Sequence, residues 1–290
     1  MMPLPRLSYE QKFISTNGVL LHTIVAGPEH GPLVIFLHGF PEFWYSWRYQ
    51  IAPLAAAGYR VLVPDQRGYN LSTKPQGLGA YRLTELAQDI VGLIEAEKRK
   101  HACIVGHDWG GVVAWWLALQ HPRRVAKLVV LNAPHPTVMR QHLQRSLAQL
   151  RKSWYFFFFQ LPYLPERRMR ADNWSIGVRA LRATARRGTF SEEDFEQYRQ
   201  AWSQPGAATG MINWYRAMLR RRASLRFDPR VRVPTLLLWG ARDRFLGREL
   251  AQPSIALCEH GQLIFMEEAS HGPQHEEPQR VNEALLNFMR

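Results

Sequence analysis

Along most of the chain, short runs of consecutive apolar residues alternate with stretches whose apolar positions recur every three or four residues. Phe13 to Thr16 and Val19 to Ala26 are β-like runs separated by Asn17-Gly18. Both turn residues tolerate positive φ, so the pair predicts a tight antiparallel hairpin. Pro32 to Leu37, Tyr59 to Val63, Ala102 to Val105, Lys127 to Leu131, Thr235 to Trp239 and Leu263 to Met266 read as further strands. Their apolarity is continuous rather than alternating, which predicts burial on both faces. Between them, Trp47 to Ala57 closes on Gly58, and Thr84 to Glu97 places Leu86, Ile90, Leu93 and Ile94 on one side behind Thr84 as N-cap; both read as helices. Strand and helix in alternation predict an α/β fold with a doubly wound, mostly parallel sheet.

The alternation stops near Pro136 and resumes near Pro234, and the interval is helix-like, Arg-rich and aromatic. Residues 1–135 and 233–290 are therefore expected to form the core domain, and 136–232 an inserted helical cap. The aromatic patch Phe156 to Phe159 is expected to be a buried cap helix, and no fixed-period repeat is visible. At 290 residues and 46% hydrophobic, the chain has room for one large core and such an insertion. Met1 to Phe13 holds two prolines and no apolar run, so neither a signal peptide nor a transit sequence is expected, and the mature chain is expected to start near Met1.

The longest apolar stretch, Trp154 to Leu164, contains Gln160 and Pro162 and is well short of the roughly 20 residues a membrane helix needs, so no span is expected. Two cysteines without metal-ligand spacing predict a reducing, cytoplasmic setting with no disulfide. The net charge of +13 is concentrated: residues 140–232 hold 19 Lys and Arg against 7 Asp and Glu, while the remainder is nearly balanced. A charge confined to one segment is read as solvated surface. No nucleic-acid partner is expected, and a weak contact of the basic cap with an anionic surface is the one further partner considered.

The sharpest local signal is Gly106-His107-Asp108-Trp109-Gly110-Gly111, placed directly after one strand and before the helical run Val112 to Gln120. This is the layout of a nucleophile elbow, where small neighbours permit a tight turn that leaves the central side chain at a helix N-terminus. An Asp that merely caps the helix would not need three glycines around it. A carboxylate nucleophile also restricts the chemistry. Attack on a carbonyl gives an anhydride that collapses back, whereas attack on a saturated carbon expels a leaving group and gives an ester that water can hydrolyse. That second step needs a base and an oxyanion hole. Asp243, after Thr235 to Gly240, and His271, after Leu263 to Ala269, stand in the chain order nucleophile, acid, base. His275 is the rival base, set further from the strand end. The expected oxyanion donors are the backbone N–H groups of Trp109 and of Phe40, the latter in His38-Gly39-Phe40-Pro41. His38 and His107 lack metal-ligand spacing and are read as structural; no metal and no cofactor is implied.

These motifs, together with Asp65-Gln66-Arg67-Gly68-Tyr69, resemble those of the epoxide hydrolases of the α/β-hydrolase superfamily over nearly the whole chain. The resemblance implies two cap tyrosines on the epoxide oxygen: Tyr155, five residues before Gln160, and Tyr215 in Asn213-Trp214-Tyr215-Arg216. Tyr163 and Tyr198 are read as packing. An alkoxide is a poor leaving group at neutral pH unless a donor such as a phenol assists it. The implied partners are a small apolar epoxide and water, with a vicinal diol as product. A haloalkane dehalogenase, which needs only N–H donors for its halide, is the alternative, and a non-catalytic binding protein on the same fold is a second. Two positions depart from the family pattern. Asn70 stands where glycine is common, which is read as a loop detail, and Gly272-Pro273 follow His271 where an aromatic is common, which bears on pocket size.

Overall fold

A computed structural model describes residues 9–145, 154–219 and 228–290. Eight strands form one sheet: β1 (Glu10–Thr16), β2 (Val19–Ala26), β3 (Leu33–Leu37), β4 (Arg60–Pro64), β5 (Ala102–His107), β6 (Val125–Leu131), β7 (Thr235–Gly240) and β8 (Gly261–Met266), in the order β1-β2-β4-β3-β5-β6-β7-β8. β1 and β2 pair antiparallel through the predicted hairpin, in which Asn17 and Gly18 take φ of 41° and 73°. β2 also runs antiparallel to β4, and every other pairing is parallel.

β3, β5 and β7 are buried along their whole length, as their continuous apolarity predicts. β8 departs from that expectation. It is the last strand of the sheet, and its residues from Gly261 to Phe265 remain at least partly exposed, because no strand among the described residues pairs beyond it.

Helices α1 (Arg48–Ala56), α2 (Leu83–Ala96) and α3 (Trp109–Gln120) connect the parallel strands. α1 ends as expected: Gly58 takes φ of 91°, and the N–H groups of Gly58 and Tyr59 close on the carbonyls of Ala55 and Leu54. α2 begins one residue earlier than the sequence predicts, and Thr84 lies inside it. A 3-10 turn over Leu78–Tyr81 runs straight into an extended Arg82, whose carbonyl accepts from the N–H groups of Glu85 and Leu86, so the chain enters the helix without a side-chain cap.

Between β6 and β7 the described residues form α4 (Pro136–Arg145), α5 (Trp154–Phe158), α6 (Leu164–Ala183), α7 (Glu192–Trp202) and α8 (Ala207–Leu219); the chain closes with α9 (Ala251–Ile255), α10 (Pro273–Glu276) and α11 (Pro278–Met289). α6 is broken at Asp172, Asn173 and Trp174, which take left-handed φ. α7 starts on a capping box, the Ser191 hydroxyl accepting from the Asp194 N–H and the Asp194 carboxylate from the Ser191 N–H. The Phe156 to Phe159 patch is only half buried: Phe159 is enclosed, whereas Phe157 keeps 57% of its accessibility. From α8, Trp214 Nε1 donates to the Arg67 carbonyl, and from α7, Trp202 Nε1 donates to that of Pro41.

Candidate active site

Asp108 sits between β5 and α3 with φ 50° and ψ −119°, a conformation that an L-residue adopts only under constraint. Its neighbours show the origin of the constraint. A Cβ on Gly110 would lie 2.2 Å from the Leu37 carbonyl oxygen, and one on Gly39 would lie 2.5 Å from the Asp108 Cβ, so only glycine lets these loops close around Asp108. The Phe40 N–H donates to Asp108 Oδ1 at 2.9 Å, across the cis Phe40-Pro41 turn. The Trp109 N–H is the first of α3, a position for which the helix itself has no acceptor. Of the two expected oxyanion donors, the Phe40 N–H thus reaches the Asp108 carboxylate, and the Trp109 N–H follows it directly in the chain.

His271 lies on the opposite side of that carboxylate, with Nε2 3.5 Å from Asp108 Oδ2. Its Nδ1–H donates to Asp243 Oδ2 at 2.7 Å. Asp243 is held in turn by the N–H groups of Phe245 and Leu246 on Oδ1, and by Asn132 Nδ2 on Oδ2 at 2.8 Å. Side-chain accessibility grades from 0% at Asp243 through 12% at His271 to 22% at Asp108, so Asp108 is the most accessible of the three. His275, the rival base, points elsewhere, to Glu42 and Arg48.

The electrostatics follow from this geometry. Burial alone would raise the carboxyl of Asp108, but the His271 hydrogen bond and charge, His107 and the Phe40 N–H outweigh it and hold Asp108 below its ordinary range. Asp243 is lowered in the same way: burial opposes, while His271, the Leu246 N–H and Asn132 prevail. His271 is desolvated, which favours the neutral ring, yet two flanking carboxylates lift it well above the usual imidazole value.

Above Asp108 the lining is aromatic. Tyr215, buried on α8, meets the rings of Phe40 and Trp109 edge-on at 5.0 Å each and that of Phe156 at 4.8 Å. Gln160 Nε2 donates to the Tyr215 carbonyl, which ties the end of α5 to α8. The backbone of Tyr155 lies in α5, but its side chain is outside the described residues. Tyr163 is 86% exposed.

Tyr198 is more than packing. Its hydroxyl donates to Glu42 Oε2 at 2.7 Å, the same oxygen that accepts from His275 Nε2 at 2.7 Å. His107 Nδ1 lies 3.6 Å from the other Glu42 oxygen, and His107 Nε2 donates to the His271 carbonyl at 2.8 Å. Burial and the neighbouring His271 push His107 down to about 4. Glu42 is buried, which alone would raise it, but His275, His107 and Tyr198 hold it far below the usual carboxylate range. Sequence reasoning did not single out Glu42 or Asn132. The only signal for either is a polar residue placed just after a core motif or a strand.

The remaining motif histidine and the loop that follows are structural. His38 Nδ1 donates to the Gly39 carbonyl and its Nε2 accepts from the Gln66 N–H, each at 3.0 Å. Asp65 accepts from His22 Nδ1, the Trp44 N–H and Asn70 Nδ2. Asn70 takes φ of 38°, which asparagine tolerates and glycine would adopt freely, and unlike glycine its side chain also holds Asp65, so the position is more than the loop detail expected from the sequence.

The α/β-hydrolase fold family matches residues 32–278. A Bacillus subtilis protein described as an AB hydrolase superfamily protein is 47% identical over 96% of this chain and 97% of its own length. Human epoxide hydrolase 4 is 38% identical over 96% of this chain and 77% of its own. The chain belongs to the epoxide hydrolase family of the α/β-hydrolase fold. Among solved structures, a Bacillus megaterium epoxide hydrolase in complex with an inhibitor superposes with a TM-score of 0.87 at 32% identity, covering 96% of this chain and 99% of that one. Membership makes the chain a hydrolase acting on ether bonds, and among the described residues no helix is long and apolar enough to cross a membrane.

Proposed function

We propose that the protein hydrolyses an apolar epoxide to a vicinal diol through a covalent ester on Asp108. The observation that carries this reading is the accessible Asp108 carboxylate, set between the Phe40 N–H and an Asp243-supported His271 beneath an aromatic lining. Asp108 attacks one epoxide carbon as the C–O bond breaks, and the phenols of Tyr155 and Tyr215 supply a proton to the ring oxygen. The product of this step is a hydroxyalkyl ester.

Esterification removes the negative charge of Asp108, one of the two carboxylates that keep the His271 imidazole protonated. His271 then gives up its proton to restore the phenol spent in ring opening, and as the neutral imidazole it takes a proton from water while the hydroxide adds to the ester carbonyl. The resulting oxyanion is received by the N–H groups of Phe40 and Trp109 and collapses to release the diol and restore the Asp108 carboxylate. In this reading residues 136–232 are a lid that carries both tyrosines over the core formed by 1–135 and 233–290. The two free thiols, Cys103 and Cys258, support a reducing, cytoplasmic setting.

The test compares wild type with Asp108→Ala on styrene-type, stilbene-type and fatty epoxides, scored for diol, alongside haloalkanes scored for halide. Diol made by wild type and absent from the variant is the expected result. Halide release without diol would move the assignment to a dehalogenase and return both tyrosines to packing.

A contact of the basic insertion with an anionic bilayer has its own observation. Phe157, Leu161, Tyr163 and Leu164 are exposed in one short segment, and Arg167, Arg168 and Arg170 follow at once on the surface of α6. Cosedimentation with vesicles of anionic lipid at low salt, reduced by Leu161→Asp, is the expected outcome, and absence of binding at low salt ends this reading.

A further inference from the structure

A cleft of about 610 Å³ adjoins the loops that carry the acid and the base. Arg242 and Arg244, which flank Asp243, and Ser270, which precedes His271, form its core side; Arg182, Arg186 and Arg187 face them from the end of α6 and the loop beyond. Carboxylates neutralise only some of these guanidinium groups. Arg182 pairs with Glu192, Arg186 Nε lies 3.2 Å from Glu276 Oε2, and Arg242 Nη2 lies 2.5 Å from Glu268 Oε2. Arg187 and Arg244 make no ion pair with any described residue. Five guanidinium groups against three carboxylates leave an excess of two positive charges in a concavity of ligand size.

A planar guanidinium donates in parallel pairs to a carboxylate or a phosphate, and it is more weakly hydrated than an ammonium. The cleft also has an apolar wall. Phe190 and Phe195 line it, and the Arg182 guanidinium already stacks 4.7 Å over the Phe195 ring. We propose that this cleft binds an organic anion, a carboxylate or phosphate monoester on an aromatic or apolar body, with Arg187 and Arg244 as its head-group ligands. Arg187 belongs to the insertion and Arg244 to the core, so the ligand spans the seam between them. The same seam is already tied by Ser270 Oγ and the His271 N–H, both of which donate to the Thr184 carbonyl, at 2.7 and 3.3 Å. The aromatic space above Asp108 fits an uncharged epoxide, so the anion is a second ligand, and its site does not depend on the proposed reaction.

The test measures binding to the full chain directly, by titration calorimetry and by the shift in Tm, with phenyl phosphate, benzoate, inorganic phosphate and neutral benzyl alcohol as probes. Saturable binding of phenyl phosphate or benzoate with a raised Tm, and none of benzyl alcohol, is expected. The stronger of the two anions identifies the head group. Arg187→Ala/Arg244→Ala should weaken binding at least tenfold, with Arg187→Lys/Arg244→Lys intermediate because it keeps the charge and loses the fork. The single variants Arg187→Ala and Arg244→Ala provide the same comparison should the double variant fold poorly, each expected to bind more weakly than wild type. No saturable binding of either anion at low salt, or equal affinity in the alanine variants, overturns the site. Equal affinity for inorganic and phenyl phosphate overturns the apolar body of the ligand. No readout depends on turnover, so failure here and failure of epoxide hydrolysis are separable.

Discussion

In the proposed reaction His271 serves two states of the enzyme in turn. Next to an ionised Asp108 it is held protonated by two carboxylates, and as a base toward water it must be neutral. Loss of the Asp108 charge on alkylation resolves the conflict, because a cation that loses an anionic neighbour loses protons more readily. The same logic makes Asp108→Ala a test on the resting protein: the His271 imidazole should titrate at lower pH in the variant than in wild type by NMR, and an unchanged titration would remove this account. His271→Gln should still open the epoxide and then stall. Mass spectrometry of the intact chain should show one added epoxide mass per protein, and diol turnover should fall by roughly 100-fold or more, the usual scale for a lost general base. Asp108, Asp243 and His271 were legible because each stands in a local frame: a glycine-flanked turn, or the first loop after a strand. Glu42, His275 and Tyr198 were not, since they come from three distant segments and only folding brings them onto shared oxygens.

The element with the most consequence for the site is α8, which brings Tyr215 against the rings of Phe40 and Trp109. Arg216, the next residue, is buried and clamps the chain it packs on. Its Nε donates to the Phe159 carbonyl at 2.8 Å, Nη2 to the Leu161 carbonyl at 2.6 Å, and Nη1 to the Glu166 carboxylate at 2.5 Å. The end of α5 and the start of α6 are thereby locked to α8. Glu166→Ala leaves this guanidinium buried without its counter-charge, and the expected cost is about 3 kcal/mol, read from denaturant unfolding. If the cost is below about 0.5 kcal/mol, the range of ordinary surface substitutions, the clamp is not structural. The sequence marked Arg216 only as part of a motif around Tyr215. What it would grip could not be read, because its acceptors, two backbone carbonyls and the Glu166 carboxylate, lie 50 to 57 residues away.

At the scale of the whole molecule, distant segments meet through a buried polar network centred on Glu42, which receives Tyr198 from α7 and His275 from α10. Arg48 extends it, donating to His275 Nδ1 and pairing with Asp194. Because Glu42 is held below its ordinary value of 4.5, its charge stabilises the fold above that pH, and this contribution fades as pH falls toward the depressed folded-state value. Glu42→Gln is therefore expected to be about 2 kcal/mol less stable than wild type at pH 7, from the loss of charged hydrogen bonds. The gap should narrow as unfolding is measured at successively lower pH below 4.5. A gap that stays constant across this range would place the effect in packing rather than charge.

The sequence by itself determined the strand pattern, the hairpin at Asn17-Gly18, the interruption of the alternation near Pro136, and the placement of Asp108, Asp243 and His271 each after its strand. These depend on period, turn chemistry and residues adjacent in the chain, which are local properties. The tertiary structure alone decided that His271 rather than His275 faces Asp108, that β8 lies exposed at the sheet edge, that Phe157 points outward while Phe159 is enclosed, and that Tyr198 holds Glu42. Each of these is set by which segments are brought together in space. Apolar periodicity reports that a residue is buried, but it carries no record of what the residue is buried against.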